Sequence, residues 1–286
     1  IMEKAGISRK LIDFAMALVG HLKGGLAIVC VLVSCFFAAI SGSAPATVAA
    51  LGMIVIPAMV RVGYKKDTAS ALMATSGAIG LIIPPSITFV IYGSIAGVSI
   101  SKLFMGGIIP GLLMGAFIAV SCLLTTRRED IKRIPKVPLK QCWVAFKDAI
   151  WAILMPIIIL GGIYGGVCTP TEAAAISAVY GLIVGVVVYK SVKFKDLYQI
   201  LVTSAVQSAV VMFITATASL FAWIITTEGI AAAASELLVN MAGGNILIFL
   251  LIVNIVLLLA GCVIDGTSAF YIFTPILLPV AIQLGY

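Results

Sequence analysis

Two stretches of this sequence gather oxygen-bearing groups inside otherwise apolar surroundings. Ser41, Gly42, Ser43, Ala44 and Pro45, with Thr47 just beyond, interrupt an apolar run from Gly24 to Val60. Asp265, Gly266, Thr267 and Ser268 interrupt a second run from Asn245 to Leu284. Hydroxyl and carbonyl oxygens are hard ligands of the kind hard cations take, and sodium is one such cation. Asp265 is an acid well inside an apolar run, where an ionised group is costly and marks an ion pathway by default. An unwound backbone offers carbonyls to a cation, and the helix N-terminus that follows offers amides to an anion. Small residues also let helices pack closely, which accounts for any one Gly or Ser here but poorly for both breaks together.

The breaks occupy matching places. Gly24–Tyr64 and Asn245–Tyr286 each follow an amphipathic segment that ends in Gly-Gly, at Gly24-Gly25 and Gly243-Gly244. Each runs apolar for roughly five turns, meets a polar, Gly-containing break, resumes as an apolar helix holding a proline, and closes on Gly-Tyr. Pro57 and Pro279, Gly63 and Gly285, and Tyr64 and Tyr286 stand at one common separation, at which Ser43 faces Asp265. Non-helical backbone at membrane depth is tolerated only where it is buried or lines a cavity. Interrupted segments at corresponding places in two halves are the sequence pointer to the binding site of a secondary transporter. Inverted copies predict non-helical backbone at 41–45 and 263–267.

The elements that must position these breaks are membrane helices. Of 286 residues, 62% are hydrophobic and only 10% charged, against about 25% charged in soluble domains. Ile150–Val167, Ala173–Tyr189 and Ile246–Ile264 approach the ~20 residues that span a bilayer, and they lack the strict alternation of β-barrel strands. The fold class is therefore all-α and polytopic, and the lipid bilayer is its solvent. Ser8–Leu22 reads as an amphipathic interfacial helix. Pro84-Pro85 must break the run Ala69–Ala96. Thr169-Pro170-Thr171-Glu172 fits a capping box, an assignment favoured over Glu172 as an intramembrane acid. Leu197–Thr227 is either one long tilted span or a re-entrant hairpin. Arg127–Lys147, with seven cations, joins two halves: residues 1–126, a basic connecting loop 127–148, and residues 149–286. The net charge of +7 sits in loops, where it sets orientation and meets headgroups rather than nucleic acid. The six cysteines form neither a disulfide framework nor a metal motif. Ile1-Met2-Glu3 and Gly285-Tyr286 resemble no natural termini, so a longer protein is expected.

On particular residues, the chain resembles a known family. Phe37-Ala38-Ala39-Ile40-Ser41-Gly42-Ser43, Pro84-Pro85-Ser86 with Ile91-Tyr92-Gly93, Gly107-Ile108-Ile109-Pro110-Gly111, Tyr164–Ala175 and Asp265 with Thr274-Pro275-Ile276-Leu277-Leu278-Pro279 are similar to the large membrane subunit of tripartite ATP-independent periplasmic (TRAP) transporters. The resemblance implies a sodium-driven elevator transporter with inverted repeats and re-entrant hairpins in a bacterial inner membrane. It implies an organic acid substrate, of the sialic acid or C4-dicarboxylate class, delivered by a periplasmic substrate-binding protein, and a small membrane subunit as partner. It implies no cofactor beyond coupling sodium ions. By similarity, Ser41, Gly42 and Ser43 form one sodium cluster, and Val263, Asp265, Gly266 and Thr267 the other. Substrate would meet Ser43, Pro45, Thr47, Ser76, Gly77, Pro84, Pro85 and Ser268. Family members carry more sequence at both ends.

The residues alone leave open another inverted-repeat carrier, a sodium/dicarboxylate symporter or an antiporter, working without a binding protein. An intramembrane enzyme fails on inventory: Asp265 has no acidic partner on another apolar run, and His21 lies outside the long runs, away from any nucleophile it would activate. A channel lacks a filter-like motif. Counting Lys and Arg assigns Arg127–Lys147, Lys190–Lys195 and the segment with Lys4, Arg9 and Lys10 to the cytoplasm together, which requires one interrupted segment to be re-entrant.

Overall fold

Backbone groups in hydrocarbon must be satisfied within their own segment, and helices do this. In the computed structural model, which describes residues 6–22, 24–126, 131 and 135–285, no strand occurs among the described residues. The helices are α1 (Ile7–Val19), α2 (Gly25–Ser41), α3 (Ala44–Val62), α4 (Lys66–Gly77), α5 (Ile87–Ala96), α6 (Ile100–Thr126), α7 (Leu139–Tyr164), α8 (Pro170–Ile183), α9 (Phe194–Thr227), α10 (Ile230–Ala242), α11 (Ile246–Gly261) and α12 (Gly266–Gln283). A 3₁₀ turn, Ala78–Leu81, extends α4, and a π turn, Val184–Val188, extends α8. Among the described residues, 6 helices are long and apolar enough to cross a membrane. The chain is a multi-pass α-helical membrane protein.

The chain forms two compact units, Ile1–Phe89 with Ser99–Leu197, and Val90–Val98 with Tyr198–Tyr286; they cut across the two sequence halves. In the first unit α2 is the central helix. Ala27, Val29, Cys30, Val33 and Ala38 are completely buried, and α2 packs against α1, α3, α4, α6 and α7. A Cβ placed on Gly24, at the start of α2, would lie 4.0 Å from the Tyr64 hydroxyl and 3.4 Å from Thr126 Oγ1. The start of α2 and the ends of α3 and α6 therefore meet, so α2 and α3 fold back on each other. In the second unit Ala242, Phe249 and Val280 form the core, with Leu238, Leu250 and Leu277 around them. Phe249 begins α11 and Val280 ends α12, so this pair folds back as well.

The repeat is visible element by element. α1 and α10 have 13 residues each, α2 and α11 have 17 and 16, and α3 and α12 have 19 and 18. Left-handed glycines separate the first two helices of each set, Gly24 in one and Gly243 and Gly244 in the other. Pro57 and Pro279 lie at the same depth in their helices.

Several boundaries differ from those expected. The first break is only Gly42–Ser43, and the second covers 262–265. Ser41 completes the last turn of α2, and Ala44-Pro45 opens α3 because proline fits the first helical turn. Gly266 and Thr267 are already helical because Asp265 caps α12. The apolar face of α1 is covered by protein: Ile7, Leu11, Ile12 and Ala15 are buried between α1 and its neighbours α2 and α7. α7 begins at Leu139, within the expected loop, because its first turns pack on α1. Phe146 lies 5.5 Å from Phe14, the Cys142 thiol donates to the Ala17 carbonyl, and Lys10 pairs with Asp148 at 2.7 Å. Residues 127–130 and 132–134 of that connection, like Lys4 and Tyr286, lie outside the described residues. Leu197–Thr227 is part of one continuous helix, α9. Its Thr217, Thr226 and Thr227 hydroxyls donate to carbonyls of the preceding turn. The capping box holds: the Thr169 amide donates to Glu172 at 2.7 Å, and the Glu172 amide donates to Thr169 Oγ1 at 3.3 Å.

The folded-back α2–α3 pair removes the conflict among the basic segments. Tyr180 donates to the Trp151 carbonyl and Tyr189 to the Asp148 carbonyl, so α7 and α8 run antiparallel, and Lys190 and Lys193 follow beside the Lys10–Asp148 pair. Arg61, Lys65 and Lys66 flank Tyr64 beside Gly24, and Lys10, Lys147 and Lys190 flank the Asp148 contacts. Lys102, by contrast, opens α6 at the end away from Thr126 and Gly24. The excess of lysine and arginine places the basic end in the cytoplasm. In a cysteine-free background, Val167→Cys should react with a membrane-impermeant maleimide added outside spheroplasts, and Lys193→Cys only after permeabilisation. The reverse pattern would overturn this orientation.

Candidate functional site

At the first break the chain leaves α2 through Gly42, at φ 62°, whose amide donates to the Ala38 carbonyl. Ser43 is extended, and α3 begins after it. Three oxygens converge there. Thr47 Oγ1 donates to the Ser43 carbonyl at 2.8 Å and Ser41 Oγ to the same carbonyl at 3.1 Å, while the two hydroxyls lie 3.3 Å apart. The Ser43 amide donates to Ser41 Oγ. Ser41 and Thr47 reach one point because the reversal carries α3 back across the end of α2. Oxygens this close match the spacing along one face of a cation's coordination shell. Turning a hydroxyl lone pair toward an ion, by rotation about Cβ–Oγ, exchanges its bond to the Ser43 carbonyl for one to the ion.

The surrounding wall comes from the stretch that follows α4. The Ile87 amide donates to the Gly42 carbonyl at 3.2 Å, and a Cβ on Gly42 would lie 2.6 Å from the Pro85 carbonyl oxygen. A Cβ on Gly80 would lie 3.2 Å from both the Ser43 carbonyl oxygen and Thr47 Oγ1. Gly77 faces Val48 and the Ala44 carbonyl in the same way. Of the residues named from the sequence, Ser41, Gly42, Ser43, Thr47, Gly77 and Pro85 are thus gathered around one break. Pro84 is buried beside Pro85, Pro45 is exposed on the first turn of α3, and Ser76 is fully buried on α4.

A second oxygen cluster in this wall escaped the sequence reading. Ser86 Oγ donates to the Leu81 carbonyl at 2.6 Å, Thr88 Oγ1 donates to it at 2.7 Å, and the two hydroxyls are 2.6 Å apart. Both side chains are buried. The available signal was a Ser and a Thr directly after Pro84-Pro85, where hydroxyls satisfy freed backbone groups.

At the second break Asp265 is a helix cap. Its Oδ2 accepts from the amides of Thr267 at 2.9 Å and Ser268 at 3.3 Å, and its Oδ1 accepts from Ser268 Oγ at 2.5 Å. The carboxylate keeps lone pairs for a further partner, and Asp265 is exposed, as is Val263 at 90%. Beyond the cap, Tyr92 packs edge-on against Phe270 with ring centres 5.9 Å apart. Val263, Asp265, Gly266, Thr267 and Ser268 belong to the second unit, and the first break to the other. Among the described residues no group of three or more His, Cys, Asp and Glu side chains is placed to hold a metal.

Paired helical hairpins, each with an oxygen-lined break, mark a polytopic transporter subunit. The family model described as "Tripartite ATP-independent periplasmic transporter, DctM component" matches residues 1–286, and the chain belongs to that family. It is 41% identical to the C4-dicarboxylate TRAP transporter large permease protein DctM of Rhodobacter capsulatus, over 98% of this chain and 67% of that protein. It is 44% identical to the isethionate TRAP transporter permease protein DctMQ of Oleidesulfovibrio alaskensis, over 99% of this chain and 45% of that protein. It is 40% identical to the 2,3-diketo-L-gulonate TRAP transporter large permease protein YiaN of Escherichia coli, over 100% and 67%. The chain thus spans two thirds or less of the length of these relatives. They are named as permeases and not as enzymes, and a multi-pass subunit of a periplasmic transporter resides in the inner membrane.

The close approach at Gly42 generates a direct test. Gly42→Ala must place a side chain at positive φ, which costs about 1–2 kcal/mol, and must also displace the Pro84-Pro85 segment. Gly97, at φ 67°, has nothing within 4 Å of a built Cβ, so Gly97→Ala carries the backbone strain alone. Thermal unfolding in detergent should show a clearly larger loss for Gly42→Ala than for Gly97→Ala.

Proposed function

We propose that this chain is the ion- and substrate-binding part of a sodium-driven large permease that imports an organic acid. The observation that carries the reading is the convergence of Ser41 Oγ, Ser43 O and Thr47 Oγ1 at a break whose hairpin recurs around Asp265. One sodium ion would be held at Ser41, Gly42 and Ser43, and another at Val263, Asp265, Gly266 and Thr267. Substrate would meet Ser43, Pro45, Thr47, Ser76, Gly77, Pro84, Pro85 and Ser268. The amides that open α3, which no side chain caps, suit a carboxylate, because helix N-termini favour anions. The substrates in the relatives' names are organic acids, C4-dicarboxylate, isethionate and 2,3-diketo-L-gulonate, which supports an anionic substrate of that class.

Sodium supplies charge at the breaks, where the anion would otherwise be repelled by carbonyl oxygens, and the chain's own hydroxyls hold and release it. Family membership supports a small membrane subunit and a periplasmic binding protein as partners, and an elevator-type movement between the two faces of the membrane. No organic cofactor is required.

The complete transporter, reconstituted in proteoliposomes with both partners and offered a panel of organic acids, tests the reading. Uptake should follow an imposed sodium gradient and fail on a proton gradient alone. Asp265→Ala should raise the sodium concentration for half-maximal uptake by roughly tenfold or more, the scale seen when a group supporting a metal site is removed. Equal uptake on protons without sodium would sink the sodium proposal. Robust uptake of free substrate without the binding protein would sink the partner proposal.

A further inference from the structure

The seam between α2 and α4 holds two hydroxyls outside the oxygen cluster of the first break. Ser34 and Ser76 are both 0% exposed, and neither Oγ has an oxygen or nitrogen partner. Several other helical hydroxyls in this chain take the carbonyl one turn back. Thr75 donates to Ala71, Thr126 to Cys122, and Thr226 to Ala222, at 2.7–2.8 Å. Ser34 and Ser76 forgo that bond although it is open to a serine at any interior helical position. A hydroxyl buried without a partner costs about 1–3 kcal/mol, and two at one helix contact call for an occupant.

The two hydroxyls lie in one seam. The Cys30 thiol donates to the Met73 thioether at 3.7 Å, and Ser76 also lies by that thiol. Ser34 is one turn beyond Cys30 on α2, and Ser76 one turn beyond Met73 on α4. The helices run in the same direction: α4 starts beside the origin of α2, through Tyr64 and Gly24, and leads to Gly80, which presses on Ser43 and Thr47 at the break. Ser41 is two turns above Ser34 on the same face of α2.

We propose that the α2–α4 seam binds ordered water, held between Ser34 and Ser76 beneath the first break. Buried waters make about three hydrogen bonds to otherwise unsatisfied polar groups, and two hydroxyls, each donor and acceptor, supply them. Sodium fits worse, because the seam shows sulfur and hydroxyl but no acid and the helical carbonyls are already bonded. The water gives α2 and α4 a polar contact that can be broken and remade without exposing either hydroxyl to hydrocarbon.

X-ray radiolytic footprinting of the complete transporter in lipid nanodiscs, in water enriched in ¹⁸O, reads this directly, since radicals form at bound water and oxidise neighbouring sulfur. Met73 and Met59 are both 0% exposed, and Ser34 and Ser76 lie in the seam of Met73. Met73 should be oxidised severalfold faster than Met59, and a Ser34→Ala/Ser76→Ala double variant should lose that excess. In thermal unfolding the single variants should be non-additive, because each strips the same water of one partner. Equal oxidation of Met73 and Met59 would overturn the proposal. So would additive single variants that each leave stability unchanged or raised, or Met73 labelling that falls when sodium replaces choline, which would place the cation in the seam.

Discussion

A peptide group facing hydrocarbon without a partner costs several kcal/mol, and the rest of this structure depends on that constraint. It makes every described element a helix. It also makes each interruption an event with a fixed set of solutions. At Gly42–Ser43 the freed groups are taken by Ser41, Thr47 and the Ile87 amide. At 262–265 they are taken by Asp265 and Ser268. The same chemistry that repairs the helix ends creates clusters of oxygen atoms. A cation site is then a short step from a repaired break: the oxygens are already gathered, and an ion has only to replace hydroxyl hydrogens as their common partner.

The two breaks solve the problem differently. The first borrows from a separate segment, so Gly80, Pro85 and Ile87 hold it from outside. Only glycine fits at Gly42, where φ is positive and the Pro85 backbone is close, and a Cβ at Gly80 would crowd Ser43 and Thr47 at 3.2 Å. The second closes on itself, with one carboxylate bonding the next two amides and a hydroxyl. Substitutions in the wall should therefore disturb the first break through packing, while the second responds to its own cap.

Much of this was legible in the residues. Apolar runs with Gly-Gly at their start and a polar break midway gave the paired hairpins, and the capping box at Thr169 was readable because its partners lie three residues apart. What composition could not carry was distance across the fold. That both interrupted segments fold back depends on contacts such as Gly24 with Tyr64 and Phe249 with Val280, which no local pattern encodes. The Ser86–Thr88 cluster was missed because its acceptor, the Leu81 carbonyl, is a backbone atom exposed only once the 3₁₀ turn ends. The early start of α7 was hidden because Lys140 and Lys147 read as loop, whereas Phe146 meets Phe14 of α1 at 5.5 Å and the exposed Trp143 stacks on Phe146.

The length of α9 carries a consequence of its own. Its 34 residues make a rod of about 51 Å at ~1.5 Å per residue, against a hydrocarbon layer of about 30 Å. Fitting it wholly inside would need a tilt of more than about 50°, beyond the ~40° limit of membrane helices. At least two turns must therefore stand in the headgroup zone, and the polar start, with Lys195 and Asp196, is the end suited to do so. Such a helix is a strut that couples the height of the protein to the thickness of its bilayer, so thinner membranes should press on this element first.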